Sequence, residues 1–116
     1  MTYNEKVLSR AEGAVTVELS IAQDSGYFDG HFPALRILPA VAQSDIAIRL
    51  GARYAGTPLT IVMAKKLKFA KVIRPEMPVQ VSLSWPADKT TLSFKMTDPA
   101  SGALFSSGSF VMRASS

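Results

Sequence analysis

Alternation of apolar and polar residues with a period of two runs through most of the chain, and one stretch departs from it. Val15, Val17, Leu19 and Ile21 alternate with Thr16, Glu18 and Ser20, which predicts a strand with one buried face. Gln23-Asp24-Ser25-Gly26 ends that strand. From Leu59 onward almost everything reads as strand. Ile61, Met63, Leu67 and Phe69 alternate within a first run, Val79, Val81, Leu83 and Trp85 within a second, and Leu92, Phe94 and Met96 within a third; Leu104 to Met112 makes the last. Pro86-Ala87-Asp88-Lys89 and Asp98-Pro99-Ala100-Ser101-Gly102 separate them as turn-rich links, short enough for antiparallel hairpins.

The departure begins at Pro39. A proline fits the first helical turn and pushes the residue before it out of the helical region, while Gly56-Thr57-Pro58 supplies the stop signals. The pattern predicts a helix of about four turns. On a wheel of 3.6 residues per turn, Asp45 shares a stripe with Val41, Ile48 and Ala52, and Ile46, Ala47, Leu50 and Tyr54 cover the other side. A helix apolar nearly all round is one surrounded by protein. One long helix with about five or six antiparallel strands is an α+β layout, and 116 residues suit a single domain over 1–116.

Composition narrows the chemistry. With no cysteine and one histidine, the chain has no disulfide framework, no thiolate nucleophile and no ordinary zinc site, and a reducing cytoplasm is the expected compartment. The start Met1-Thr2-Tyr3-Asn4-Glu5-Lys6 is not a signal-peptide pattern, and no apolar run is long enough for a membrane helix. The net charge of +4 is concentrated: Lys65, Lys66, Lys68, Lys71 and Arg74 lie in ten residues without an acid. In a regular strand Lys66 and Lys68 point one way and Leu67 and Phe69 the other, a solvated edge that discourages edge-to-edge association. The same patch would also draw an acidic partner by complementary potential. Nucleic acid is not expected, because no interleaved aromatics, Gly-rich phosphate loop or helix-turn-helix pattern accompanies it.

Two titratable residues stand out. His31 sits in Gly30-His31-Phe32-Pro33, with Tyr27 and Phe28 before it; read plainly it is a loop histidine, but apolar neighbours favour a neutral imidazole able to act as a base. Asp45 lies among apolar residues of the helix. A carboxylate on a buried helix finds a partner or takes up a proton, and its plain reading is an i,i+4 ion pair with Arg49 at a partly wet edge.

Phe28-Asp29-Gly30-His31-Phe32-Pro33, then Ile37-Leu38-Pro39-Ala40-Val41, with Asp45 fourteen residues after the histidine, resembles the beta-hydroxyacyl-[acyl carrier protein] dehydratase family of hot-dog folds. Lys68-Phe69 through Ile73-Arg74-Pro75 resembles the strand and Arg-Pro turn that follow the helix there. An aspartate rather than a glutamate at position 45 is closer to the isomerase-type and aryl-polyene-type branches. Two residues depart from the family pattern: Arg36 stands where a proline is usual and Ala40 where a glycine is usual.

The resemblance implies a hot-dog fold, with one central helix wrapped by a curved antiparallel sheet. It implies dehydration of a 3-hydroxyacyl thioester to the trans-2-enoyl product, in fatty-acid, polyene or polyketide-type biosynthesis. His31 is then the base and Asp45 the acid or the group orienting the leaving water. The backbone N–H groups of Ala40 and Val41 form the oxyanion site, and Phe32, Ile37 and Met63 line the acyl pocket. Acyl carrier protein is the implied partner, docked by Arg36, Lys65, Lys66, Lys68, Lys71 and Arg74. No cofactor is expected beyond the phosphopantetheine of the carrier, or coenzyme A, that brings the substrate. His31 and Asp45 meet across a dimer, which leaves open a homodimer, a higher oligomer of dimers and a heterodimer with a related subunit. Two alternatives stand beside this reading: a hot-dog acyl thioesterase, and a non-catalytic carrier-binding subunit.

Overall fold

Each apolar alternation becomes a strand, and those of Val15 to Ile21, Val79 to Leu83 and Leu92 to Met96 bury their apolar residues in one core with the helix. A computed structural model describes residues 3–21, 38, 40–56, 59–74 and 76–114. The strands are β1 (Tyr3–Ala11), β2 (Ala14–Ile21), β3 (Leu59–Phe69), β4 (Pro78–Ser84), β5 (Thr91–Thr97) and β6 (Leu104–Ala114), with α1 (Ala40–Ala55) between β2 and β3. They form a six-stranded antiparallel sheet in the order β1-β2-β4-β5-β6-β3. One helix on one antiparallel sheet is the α+β layout read from the pattern. β1 is the strand that the pattern did not announce, because as an edge strand it leaves Val7 and Leu8 exposed and carries no clean alternation.

Register explains the core. Val15, Val17 and Leu19 of β2 lie opposite Leu83, Val81 and Val79 of β4, and directly opposed residues share a face. Leu92, Phe94 and Met96 of β5 continue that face, and Ile46, Ala47 and Leu50 of α1 close it. Phe94 and Phe110 stack at 5.6 Å between ring centroids, 12° from parallel. The helix approaches β5 at Gly51, where an added Cβ would stand 2.4 Å from Leu92 Cδ2; the glycine is what lets the two layers meet there.

The C-terminal end of α1 is tied down on several sides. Gly56 N–H donates to Ala52 C=O (3.1 Å), Arg10 to Tyr54 C=O (3.3 Å) and Lys89 Nζ to Ala55 C=O (2.8 Å). These bonds satisfy carbonyls that a helix end leaves without intrahelical partners, and they put positive charge at the negative end of the dipole. The Arg10 guanidinium also lies over the Tyr54 ring, 5.2 Å from its centroid. The Tyr54 hydroxyl donates to Glu5, whose other oxygen accepts from Arg53 at 2.6 Å. Burial, and then the Glu5 carboxylate beside it, pushes the Tyr54 phenol above its ordinary value.

Two expectations are corrected. The wheel makes α1 a helix covered on all sides, yet among the described residues Ala42, Gln43, Ile46, Ala47 and Leu50 are buried, while Asp45, Ile48 and Ala52 stay partly exposed. A single sheet layer reaches only one side of a helix. Strand β3 is also not regular. Its pairing with β6 shifts between Ile61 and Met63 and again between Lys65 and Lys68, with Lys66 in the left-handed region at φ 55°. Each shift inserts a residue that β6 does not match, which resets the alternation. Lys65 and Lys68, opposite Ser109 and Ser107, therefore share a face, rather than Lys66 and Lys68. Leu67 turns over Gly108, where an added Cβ would meet Leu67 Cδ2 at 2.5 Å.

Candidate active site

The described part of the candidate site is the start of α1 with the connection after β3, which meet at Leu38; β3 carries other residues that the sequence singled out. Asp45 stands in the second turn of α1, on the side turned away from the sheet, with 43 % of its side chain exposed. Arg49, one turn on, donates from Nε to Asp45 Oδ2 at 2.8 Å. That is the i,i+4 pair of the plain reading, worth a few tenths of a kcal/mol at such exposure. The carboxylate is thus not sealed in the chain's own core; it lies where an incoming substrate or subunit can reach it.

Ala40 opens the helix and is exposed, and the first turn holds no acidic side chain to compete for its amides. The first N–H groups of a helix have no intrahelical acceptor and carry the positive end of the dipole, so this end suits a developing negative charge. Val41 follows it in the same turn. His31, Arg36, Phe32 and Ile37 lie outside the described residues.

Gln43 is the site residue that the motif did not suggest. It is 3 % exposed, on the core stripe of α1. Its Nε2 donates to the carbonyl of Leu38 at 3.1 Å, and the N–H of Leu38 donates to the carbonyl of Ile73 at 2.7 Å. The peptides on both sides of Leu38 are therefore held, one by α1 and one by the segment after β3. Gln43 Oε1 is buried without a partner. A polar residue at the position where the wheel calls for an apolar one was the available signal.

Met63 of β3, expected in the acyl pocket, lies opposite Val111 of β6 and is exposed. It belongs with Ile61, Val62, Leu67, Phe69 and Val72, which make the edge strand and its exit the largest exposed apolar stretch among the described residues. Lys65, Lys66, Lys68, Lys71 and Arg74 are exposed along the same segment. Among the described residues no group of three or more metal-ligating side chains comes together, and no helix is long and apolar enough to cross a membrane.

A family model described as ApeI-like, ApeI dehydratase, matches residues 7–109. In structure the chain is similar to the dehydratase heterocomplex ApeI:P from Xenorhabdus doucetiae, with a TM-score of 0.84 and 22 % identity over 97 % of this chain and 98 % of that one. It is similar to a hypothetical thioesterase with coenzyme A from Streptococcus pneumoniae TIGR4, at a TM-score of 0.73 and 10 % identity over 97 % and 86 %. The dehydratase domain of MlnD from Bacillus amyloliquefaciens follows at 0.66 and 15 %, over 96 % of this chain and 43 % of that one. No curated protein sequence matches. These likenesses make the fold a hot-dog fold.

Proposed function

The chain belongs to the ApeI-like dehydratase family, and from that premise we infer that it removes water reversibly from a 3-hydroxyacyl thioester to give the trans-2-enoyl thioester. His31 takes the proton from the carbon next to the thioester carbonyl. The bond from the next carbon to its hydroxyl breaks, a carbon–carbon double bond forms, and the departing oxygen leaves as water with a proton from Asp45 or, where Asp45 only orients it, with the proton that His31 has taken. Negative charge that builds on the carbonyl oxygen is met by the N–H groups of Ala40 and Val41 at the dipole end of α1. The observation that carries this reading is the placement of Asp45: the motif's acid lies in the second turn of a helix with an acid-free start, on the side of α1 that the chain's own sheet leaves open.

That open side needs covering, and β3 offers the means. An apolar edge strand of eleven residues is a template for strand pairing with another chain. The reading assigns it to a second hot-dog subunit, with His31 and Asp45 meeting across the interface. The heterocomplex similarity favours a related subunit as the second chain. The basic run Lys65, Lys66, Lys68, Lys71 and Arg74, with Arg36, docks an acidic acyl carrier protein, whose phosphopantetheine arm brings the thioester, and the reaction belongs to the cytoplasm where such carriers work.

The test is turnover of 3-hydroxyacyl and enoyl thioesters of graded length on acyl carrier protein, by the purified chain and by the chain with its co-purifying subunit. Enoyl thioester should form, and His31→Ala and Asp45→Asn should each lower turnover at least a thousand-fold while leaving the melting curve in place. Release of free thiol without enoyl product would establish a thioesterase instead. Carrier binding with no turnover at any length would establish a non-catalytic subunit.

A further inference from the structure

A glutamine in the core of α1 needs a reason, because stability does not supply one. Gln43 stands among Ala42, Ile46 and Ala47, all buried, where leucine or methionine would fill a similar volume without a polar group. Its Oε1 is buried and unpartnered, which is a cost that an apolar side chain avoids. What the glutamine does supply is one directed bond, Nε2 to the carbonyl of Leu38 at 3.1 Å, within the protein interior.

That bond falls at a chosen place. Leu38 is itself buried, and its N–H is fixed to Ile73 C=O at 2.7 Å. The carbonyl held by Gln43 belongs to the peptide that joins Leu38 to Pro39, and Ala40 comes next. A proline ring restricts its own φ, so few soft dihedrals separate the clamped peptide from the N–H of Ala40. Side chains on a helix lean toward its N-terminus, which is how a residue in the first turn reaches back across the start. Gln43 and Asp45 are two residues apart, about 200° around the helix, and so act on opposite sides of it.

We propose that Gln43 is a positioning residue: by holding the Leu38 carbonyl it fixes the aim of the Ala40 N–H toward the thioester oxygen. This rests on the dehydratase reading, in which that amide receives the developing charge. An oxyanion donor works through pre-set geometry, and loss of aim by a fraction of an ångström weakens it in the transition state more than in the bound substrate. The signature is therefore a fall in kcat with KM nearly unchanged.

Two variants test it in the complete active assembly. Gln43→Met keeps the volume and removes both polar atoms; it should melt no lower than the wild type, with kcat for enoyl hydration ten- to a hundred-fold lower and KM within two-fold. In Gln43→Glu the protonated carboxyl can donate to Leu38 C=O and the ionised one cannot, so its kcat relative to wild type should recover as the pH falls. This second variant carries the test if Gln43→Met does not fold. Amide proton shifts at Leu38 and Ala40 should move in both variants while that of Leu50 stays. Wild-type kcat in Gln43→Met, or a Gln43→Glu profile parallel to wild type, overturns the proposal. Unmoved Leu38 and Ala40 amides overturn the clamp itself. Absence of turnover in the wild type, with those amides shifting as expected, removes the dehydratase reading and the catalytic role with it, and leaves a purely structural clamp.

Discussion

Gly51→Ala adds one methyl group where the helix presses against Leu92 of β5. Its Cβ would lie 2.4 Å from Leu92 Cδ2, 2.9 Å from Cδ1 and 3.2 Å from Cγ. Both Leu92 methyls are inside contact distance, so a rotamer change that removes one leaves the other. Leu92 is fully buried and has Phe110 opposite it in β6. Alanine is about 1 kcal/mol better than glycine in a helix interior, whereas overpacking a tight core costs about 1–3 kcal/mol. The expected net effect is a loss of about 0–2 kcal/mol, or roughly 0–10 °C in Tm for a domain near this size. Urea and thermal melts of the wild type, Gly51→Ala, Leu92→Ala and the double variant decide it. Leu92→Ala alone should cost about 2–5 kcal/mol. In that background the clash is gone, so Gly51→Ala should change sign and stabilise by up to about 1 kcal/mol. If Gly51→Ala stabilises the wild type, or acts equally in both backgrounds, the close approach is not what selects the glycine. The same variant carries a functional consequence. Under the proposed function, a helix shift that relieved 2.4 Å to ordinary contact at 3.4 Å or more would displace Asp45 by about the distance at which catalysis falls a hundred-fold.

Other outcomes follow from the edge, the basic run and the helix end. Val62→Lys, at a residue 59 % exposed in the chain, should change folding stability by no more than about 0.5 kcal/mol while abolishing the proposed subunit association in sedimentation velocity; an unchanged oligomer would place the interface elsewhere. Lys65→Glu with Lys68→Glu, which share a face, should weaken carrier binding at least ten-fold at low salt and much less at high salt, measured by titration calorimetry. For Tyr54, whose phenol is pushed above its ordinary 10.0 mainly by burial, the unfolded chain loses its proton first as the pH rises. Its contribution is fully present below pH 10 and lost as the pH climbs through the higher folded value, so Tyr54→Phe should flatten the alkaline fall of Tm relative to wild type.

Strand content was legible wherever one face of a strand meets the core. β2, β4 and β5 keep strict alternation, because each is paired on both sides and each slip would turn its apolar residues to solvent. β1 and β3 are edges. There one flank answers to no neighbour, so β1 carries a weak pattern and β3 tolerates two bulges that a reading of alternate positions cannot see. The helix was legible from Pro39 and Gly56, and the Asp45–Arg49 pair from its spacing. The side of α1 left open was not, because a wheel records which residues are apolar and not whether the chain's own sheet or something else covers them. Gln43 was visible as a polar break in the core stripe, but its partner is a backbone carbonyl, which leaves no mark in the letters of a sequence.

The long apolar edge of β3 also makes demands on synthesis. Under the proposed pairing with a related subunit, ribosomes that turn out this chain faster than its companion leave a surplus whose open β3 edge and exposed Val62, Leu67 and Phe69 invite adhesion to any strand at hand. The two bulges and the lysines beside them make that surplus a poor self-template, and so lengthen the time in which the proper companion can arrive. Balanced production of the two chains, rather than abundance of either, is what would set the yield of working assembly, with the leftover of the more plentiful one destined for proteolysis or aggregation.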